Sequence, residues 1–242
     1  MLNTLRVLEE VAARQPIGVG ELARALEMPK STVQRALLTL DEAGWIRPGS
    51  GEVTRWVLTT KALAVGSRAG GDLGLRGAAL PIMEDLRRHT GETIHLTVPE
   101  DGRMVLIERL ETDKPVRTSM ALGHSLPFHA SANGKAVLAN SSAEVLRALL
   151  VDELPRYTET TITDPDALRA ELAAIRAHGF AVNRGEWRND VGAVAAVVMG
   201  GHEKPIASIS VNIPIGRLTP ESEILFGEAV REAASSLGAR LG

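Results

Sequence analysis

The sequence predicts an α+β protein in which an N-terminal winged helix-turn-helix precedes a larger domain built on a mainly antiparallel sheet. Three observations lead there. Between Gly18 and Trp56, two short amphipathic stretches and a hairpin pattern follow one another: GVGELARALEMPKSTVQRALLTLDEAGWIRPGSGEVTRW. Beyond Gly91 the hydrophobic period changes from about 3.6 to about two. Six strand-like stretches follow, joined mainly by hairpins, with helices opening and closing the region.

Taken in order, residues 2–13 place Leu2, Leu5, Leu8, Val11 and Ala12 at helical spacing, and Gln15-Pro16 ends that helix. Glu21 to Glu27 is a short second helix with Leu22, Ala23 and Leu26 on one side, and only Met28-Pro29 separates it from a third. Two short helices across so brief a turn form a helix-turn-helix. In the third helix, Ser31 to Ala43, Val33, Ala36, Leu37, Leu40 and Ala43 recur at three and four. Ser31 offers a hydroxyl N-cap, and Gly44 stands where a left-handed residue closes a helix. Lys30, Ser31, Thr32, Gln34 and Arg35 remain on its outer face near the N-terminus, a set that donates hydrogen bonds and carries no negative charge. Trp45-Ile46 and Val53–Leu58 read as the two strands of a wing around Pro48–Gly51, with Arg55 directed at a DNA backbone.

Residues 60–71 predict a short helix ending in a Gly-rich hinge, and 72–90 a longer one in which Pro81 marks a kink or a fresh start. The domains are therefore drawn at 1–60, 61–78 for the linker helix region and 79–242. The later strands are placed at Thr93–Val98, Met104–Leu110, Val116–Met120, Phe180–Arg184, Val191–Met199 and Ile206–Ile213. Leu122–Phe128 reads as a loop. Helices are placed through Gly134–Ala139, Ala143–Leu150, Asp166–Ala177 behind an Asp164-Pro165 cap, and from Thr219-Pro220 to the end.

Composition narrows the chemistry. The 242 residues contain no cysteine, which removes disulfides, thiolate nucleophiles and thiolate metal sites. Polar residues interrupt the N-terminal apolar positions, and no apolar run approaches the ~20 residues of a membrane span. A cytoplasmic protein with no membrane partner is expected. There are 27 basic and 30 acidic residues overall, and the first 66 residues hold eight against seven. A DNA-binding domain so near neutrality must gather its charge on one face, through Lys30, Arg35, Arg47 and Arg55. One copy would bind weakly, so two acting together are expected.

The most distinctive stretch outside the first domain is GHSLPFHASANGKAVLA, residues 123–139. It is not a phosphate loop, because His129 replaces the first glycine and Ala136 follows the lysine. Ser131 and Lys135 are one residue too far apart for an acylating Ser-x-x-Lys pair. What survives is a helix N-terminus with free N–H groups around Ala132-Asn133-Gly134, suited to an anion. Lys135 reads as a solvated side chain or half of an intersubunit ion pair.

These stretches resemble the IclR-type transcriptional regulators over nearly the whole chain. The resemblance rests on PKSTVQRALLTLDEAGW, on LPFHASANGKAVLA at 126–139, on Gly185-Glu186 with VGAVAAVV at 191–198, and on ASISVNIPIGRLT at 207–219. It implies a GAF-like effector-binding domain with a six-stranded sheet flanked by helices, and assembly as a homodimer or dimer of dimers through the linker helices. It further implies a small effector, an organic acid or aromatic metabolite, held by the backbone at Ala132 and Asn133 and by Asn183, Ala193, Ser210 and Asn212. Asn183 stands where an acidic side chain is frequent and Ala193 where a polar one is, so the pocket is neutral and amide-rich.

The expected protein is thus not an enzyme and needs no cofactor. It is a regulator, most simply a repressor, that contacts double-stranded operator DNA through Lys30, Ser31, Thr32, Gln34, Arg35 and Arg55. Two other readings remain open: a metal-assisted hydrolase using His124, His129 or His202, and an interaction module whose helix and wing bind protein rather than DNA.

Overall fold

The computed structural model describes residues 1–51, 53–66, 72–150, 153–201 and 204–241. The chain divides into two compact units, Met1–Leu73 and Gly74–Gly242.

In the first unit, α1 (Leu2–Arg14), α2 (Val19–Ala25) and α3 (Lys30–Glu42) precede a hairpin of β1 (Ile46–Pro48) and β2 (Trp56–Leu58), and α4 (Lys61–Gly66) follows. One apolar cluster unites them: Val7 and Val11 of α1, Leu22 of α2, Val33, Leu37 and Leu40 of α3, with Ile46 and Trp56 from the hairpin. Trp56 also exchanges backbone hydrogen bonds with Ile17, at 2.8 and 3.2 Å, which ties the wing to the connection between α1 and α2.

Several boundaries differ from expectation for identifiable reasons. Helix α2 ends at Ala25 because Glu27 turns left-handed, with φ at 52°, so the turn to α3 is longer than Met28-Pro29 alone. Pro29, not Ser31, is the N-cap of α3 and no side chain caps it, which leaves the Ser31 hydroxyl exposed on the first turn. Gly44 has φ of 74°, as the end of α3 required. The wing strands are shorter than predicted because Gly49 N–H bonds Arg55 O at 2.6 Å and consumes residues up to Arg55 in the turn. The Gly-rich hinge expected after 66 lies outside the described residues.

The second unit begins with α5 (Asp72–Thr90), which stays one helix through Pro81 and so corrects the fresh start read there. Its sheet runs in the order β5-β4-β3-β8-β7-β6, from β3 (Thr93–Glu100), β4 (Arg103–Leu110), β5 (Ser125–Pro127), β6 (Ala181–Arg184), β7 (Val191–Met199) and β8 (Pro205–Pro214). All five pairings are antiparallel. Val116–Met120 is not a strand. The edge of β4 is taken instead by Ser125–Pro127, which had read as loop, while Arg117 pairs with Glu111 and Arg109 reaches back to the Met120 carbonyl.

Helices cover both faces of this sheet. On one, α5 and α9 (Pro220–Leu241) pack Met83, Leu86, Phe226, Val230 and Leu237 against Ile94, Leu96, Val194, Ile209 and Val211. On the other lie α6 (Ala132–Ala139) and α8 (Pro165–His178), with α7 (Ala143–Leu149) beside them. Asp164 caps α8 by accepting from Ala167 N–H at 2.7 Å, and left-handed Gly179 ends it. Helix α6 is buried at every position. Its approach depends on Gly134, where a Cβ would stand 2.3 Å from the Phe128 carbonyl oxygen and 2.4 Å from its Cα. Because the obstacle is backbone, Gly134→Ala is expected to destabilise the protein by about 2–3 kcal/mol in a urea melt. Gly216→Ala, with no atom within 4 Å of its Cβ, is the control and should fall within about 0.5 kcal/mol of the parent.

Candidate functional site

Two places concentrate polar chemistry, one in each unit. The first is the outer face of α3. Burial of Val33, Ala36, Leu37 and Leu40 turns Lys30, Ser31, Gln34 and Arg35 to solvent, while Thr32 is half-buried. Among the described residues, no side-chain hydrogen bond or ion pair engages Lys30, Gln34 or Arg35, and the helix carries no acid before Asp41. Arg55 is placed differently. Its guanidinium donates to Pro16 O at 2.6 Å and to Glu21 Oε1 at 2.8 Å, so it fastens the wing to the start of α2. Glu21 also accepts from Gly18 N–H at 2.9 Å, and that bond foremost, with Arg55 behind it, holds its carboxyl below the ordinary range. Arg47 remains exposed at the wing.

The second place is the α6 face of the larger sheet. Strand register lays its side chains out in rows. Asn183, Ala193, Asn212 and Thr93 form one row across β6, β7, β8 and β3. Ala181, Ala195, Ser210, His95 and Arg109 form the next, and Val197, Ser208 and Thr97 a third. The predicted residues Asn183, Ala193, Ser210 and Asn212 therefore share one face, over which α6 brings Ala132 and Asn133. A small cavity of about 30 Å³ sits at this face, lined by Ser131, Ala132, Asn133, Asn183, Ala193, Asn212 and Arg188, with Met120, Leu126, Trp187 and Val191 at its apolar side; Ser210 is not in its lining.

Hydrogen bonds define what this cavity offers. Ser131 caps α6 by accepting from Gly134 N–H at 3.1 Å, and its carbonyl accepts from Lys135 N–H at 2.9 Å. That leaves the N–H groups of Ala132 and Asn133, the first two of the helix, without an intrahelical acceptor. Asn183 is used structurally: Nδ2 donates to Ala130 O at 2.5 Å, and Oδ1 accepts from Gly185 and Glu186 N–H at 3.0 and 3.2 Å. Asn133 donates to Ser208 Oγ at 3.2 Å, and Asn212 to Ser210 Oγ at 2.9 Å.

Two residues are buried here that the sequence reading misplaced, in the case of Lys135, or missed, in the case of His95. Lys135 is 0% exposed, neither solvated nor intersubunit; its ammonium sits 2.7 Å from Glu186 and 3.0 Å from Glu171. Burial pushes the Glu186 carboxyl up despite Lys135, and its Oε2 has no partner. His95 is 1% exposed with both ring nitrogens unpartnered among the described residues, and burial, with Arg109 adding to it, pushes its pKa down to about 4. Its signal was the alternation Thr93-His95-Thr97, which shares parity with the polar face.

The loop histidines are engaged in packing. His129 Nε2 lies 2.9 Å from Pro155 O, its ring 5.8 Å from Tyr157, and the His124 ring lies 5.9 Å from Trp187. His202 lies outside the described residues. Among the described residues, no group of three or more His, Asp or Glu side chains is placed to hold a metal, and no helix is long and apolar enough to cross a membrane.

Known proteins resemble both units. The IclR helix-turn-helix domain family matches residues 2–49, and the family described as bacterial transcriptional regulator IclR C-terminal matches residues 69–239. The chain is 32% identical over 237 residues to the transcriptional repressor IclR of Escherichia coli (strain K12), spanning 96% of this chain and 86% of that protein. Among solved structures it is similar to IclR of Thermotoga maritima, with 25% identity, a TM-score of 0.84, and 99% and 97% of the two chains covered. It is also similar to an IclR homolog from Microbacterium hydrocarbonoxydans complexed with 4-hydroxybenzoate, with 28% identity, a TM-score of 0.82, and the same coverage.

Two stability measurements probe the buried groups. Lys135→Ala strands Glu186 in the interior, and a loss of about 3–5 kcal/mol is expected in a denaturant melt. His95 takes up a proton in the unfolded chain near pH 6.5 but resists it in the fold down to about 4. Its contribution is therefore complete above pH 6.5 and falls by about 3 kcal/mol as pH drops to 4. Glu186 works with the opposite sign, since its raised pKa favours the folded state toward low pH. The comparison that isolates His95 is wild type against His95→Asn: the stability of wild type relative to the variant should fall as pH drops through that window, and parallel pH profiles would contradict the assignment.

Proposed function

This chain belongs to the IclR family of bacterial transcriptional regulators, and on that premise we propose that it is a ligand-responsive repressor whose α3 helix reads operator DNA. The observation that carries this is the α3 outer face: Lys30, Ser31, Gln34 and Arg35 exposed together, free of acidic neighbours for the first turns of the helix. Gln34 is assigned to adenine and Arg35 to guanine, pairs worth about 1–3 kcal/mol of discrimination each. Lys30, Ser31 and Thr32 hold phosphates, which sets register without reading sequence. Arg55 contributes to the backbone contact chiefly by fixing the wing, given its bonds to Pro16 and Glu21.

Each copy carries little net charge, so affinity depends on pairing. Leu2 and Leu5 on α1 and Leu63 and Val65 on α4 are exposed apolar side chains that a second copy would cover, giving a dimer or dimer of dimers. Paired α3 helices then meet half-sites ~34 Å apart, or a multiple of that.

The effector site is the α6 face of the second sheet, with the Ala132 and Asn133 N–H groups receiving the carboxylate of an organic or aromatic acid. Asn212 lines its floor, with Ser210 bonded behind it, and Asn183 holds the loop that closes it. A cavity of about 30 Å³ has room for about one water, so an effector enters only by displacing side chains. That requirement gives binding a structural consequence. A coupling of ~1–3 kcal/mol between the sites would change DNA affinity roughly 5–150-fold.

Arg35→Ala should weaken retention of selected DNA in a gel-shift assay by at least about tenfold and flatten its salt dependence; unchanged, salt-insensitive binding would overturn the assignment of α3. Calorimetry of the full chain against organic and aromatic acids should show binding that Ser210→Ala and Asn212→Ala weaken. Unaltered affinity in both variants would place the site elsewhere.

A further inference from the structure

The α6 face of the sheet continues past the residues assigned to the effector. In its middle row His95 stands directly across from Ser210 on one side and Arg109 on the other. Directly opposed residues of antiparallel strands have Cβ atoms about 4.5–5.5 Å apart, and diagonal neighbours remain within reach of long side chains. His95 is therefore adjacent to Ser210 and diagonal to Asn212, which lines the cavity.

Two features together distinguish it from a packing residue: it is 1% exposed, and among the described residues neither ring nitrogen has a hydrogen-bond partner, although Ser210 and Arg109 stand directly across from it. Two polar atoms of one side chain left unsatisfied in the interior carry the full cost of their desolvation. The neighbouring polar groups are bonded elsewhere and none to the ring: Ser210 Oγ accepts from Asn212, Ser208 Oγ donates to Ala196 O at 2.9 Å, and Arg109 is tied to Ser119, the Met120 carbonyl and Glu111. What is missing is a partner that supplies both an acceptor and a donor.

We propose that His95 forms the inner end of the effector cavity and hydrogen-bonds a hydroxyl group of the ligand, so that the preferred effectors are hydroxy acids. The proposal rests on the α6 face being the effector site. The two ends of such a ligand meet different chemistry. Its carboxylate faces the Ala132 and Asn133 N–H groups at a helix N-terminus, where negative charge is favoured. Its hydroxyl faces a neutral imidazole, which has one N–H to give and one lone pair to receive. Burial keeps that imidazole uncharged at neutral pH, and the Arg109 charge beside it is occupied, so a second carboxylate would find no counter-ion at this end. A hydroxyl satisfies the ring without one.

The test uses calorimetry on the full chain with matched pairs of probes: benzoate and 4-hydroxybenzoate, acetate and glycolate, propionate and 3-hydroxypropionate. In the wild type at least one hydroxylated member should bind tighter than its plain counterpart by about three- to tenfold, the worth of a neutral hydrogen bond. His95→Phe and His95→Leu, two variants so that the result does not hang on one of them folding, should erase that preference, so that each hydroxylated acid binds no tighter than its plain counterpart. A preference that survives in either folded variant overturns the proposal. Plain acids that bind the wild type with no hydroxyl preference in any pair also overturn it, and leave the pocket itself standing. If no acid of either kind binds, the pocket reading falls along with it.

Discussion

The buried pair between Lys135 and Glu186 is the interaction on which the second unit's site depends. An ammonium with no solvent exposure costs several kcal/mol to desolvate, and only close, well-directed partners offset that. Here they come from two directions: Glu171 on α8, and Glu186 in the turn that follows β6. The pair therefore binds α6 simultaneously to a neighbouring helix and to the strand-turn that shapes the cavity. Gly134, one residue earlier, lets the same helix press against the Phe128 backbone. Together these place the Ala132 and Asn133 N–H groups over the sheet with little freedom to drift. An apolar pair of similar volume would stabilise as well or better; what the charges add is a defined position for the first turn of α6.

A consequence of covering the sheet on both faces is that its polar side becomes an interior. Ser208, Ser210, Asn212, Thr93, His95 and Thr97 are all buried. Interiors of this kind carry a cost for every polar atom left unsatisfied. Most here are satisfied by one another. The exceptions, the two ring nitrogens of His95 and the Glu186 Oε2, lie on or beside the same face. A cavity of about 30 Å³, a helix terminus and a few unmet hydrogen bonds meet on this face, so the proposed effector could complete it only by rearranging it.

Much of this was legible in the sequence, and the failures have physical causes. The helical spacing of Val33, Leu37 and Leu40 fixes which side of α3 is buried, and hence that Gln34 and Arg35 face outward. Alternation in ASISVNI identified β8 and its polar parity but not that α6 would bury that parity too, because period two says which residues share a face and not what covers it. That is why His95 passed as an ordinary strand residue. Lys135 was misread for a related reason: its partners lie 36 and 51 residues further along the chain, beyond any local pattern. Val116–Met120 has strand-like composition, but pairing depends on which segment reaches the free edge of β4, and Ser125–Pro127 does. Arg55 looked like a backbone contact until Glu21, distant in sequence, proved to be its neighbour.

In the first unit, charge is sparse and the exposed α3 face is small, so a single copy has little to hold DNA with. Under the pairing and the effector site proposed above, regulation acts on how two copies are presented. The most direct measurement of that link is reciprocal coupling: DNA affinity of the full chain, by fluorescence anisotropy on a fragment it selects from genomic DNA, with and without the acid it binds most tightly. The account predicts a shift of roughly 5–150-fold, matched by an equal shift in acid affinity when DNA is bound. An acid that binds the second unit and leaves DNA affinity unchanged would contradict it.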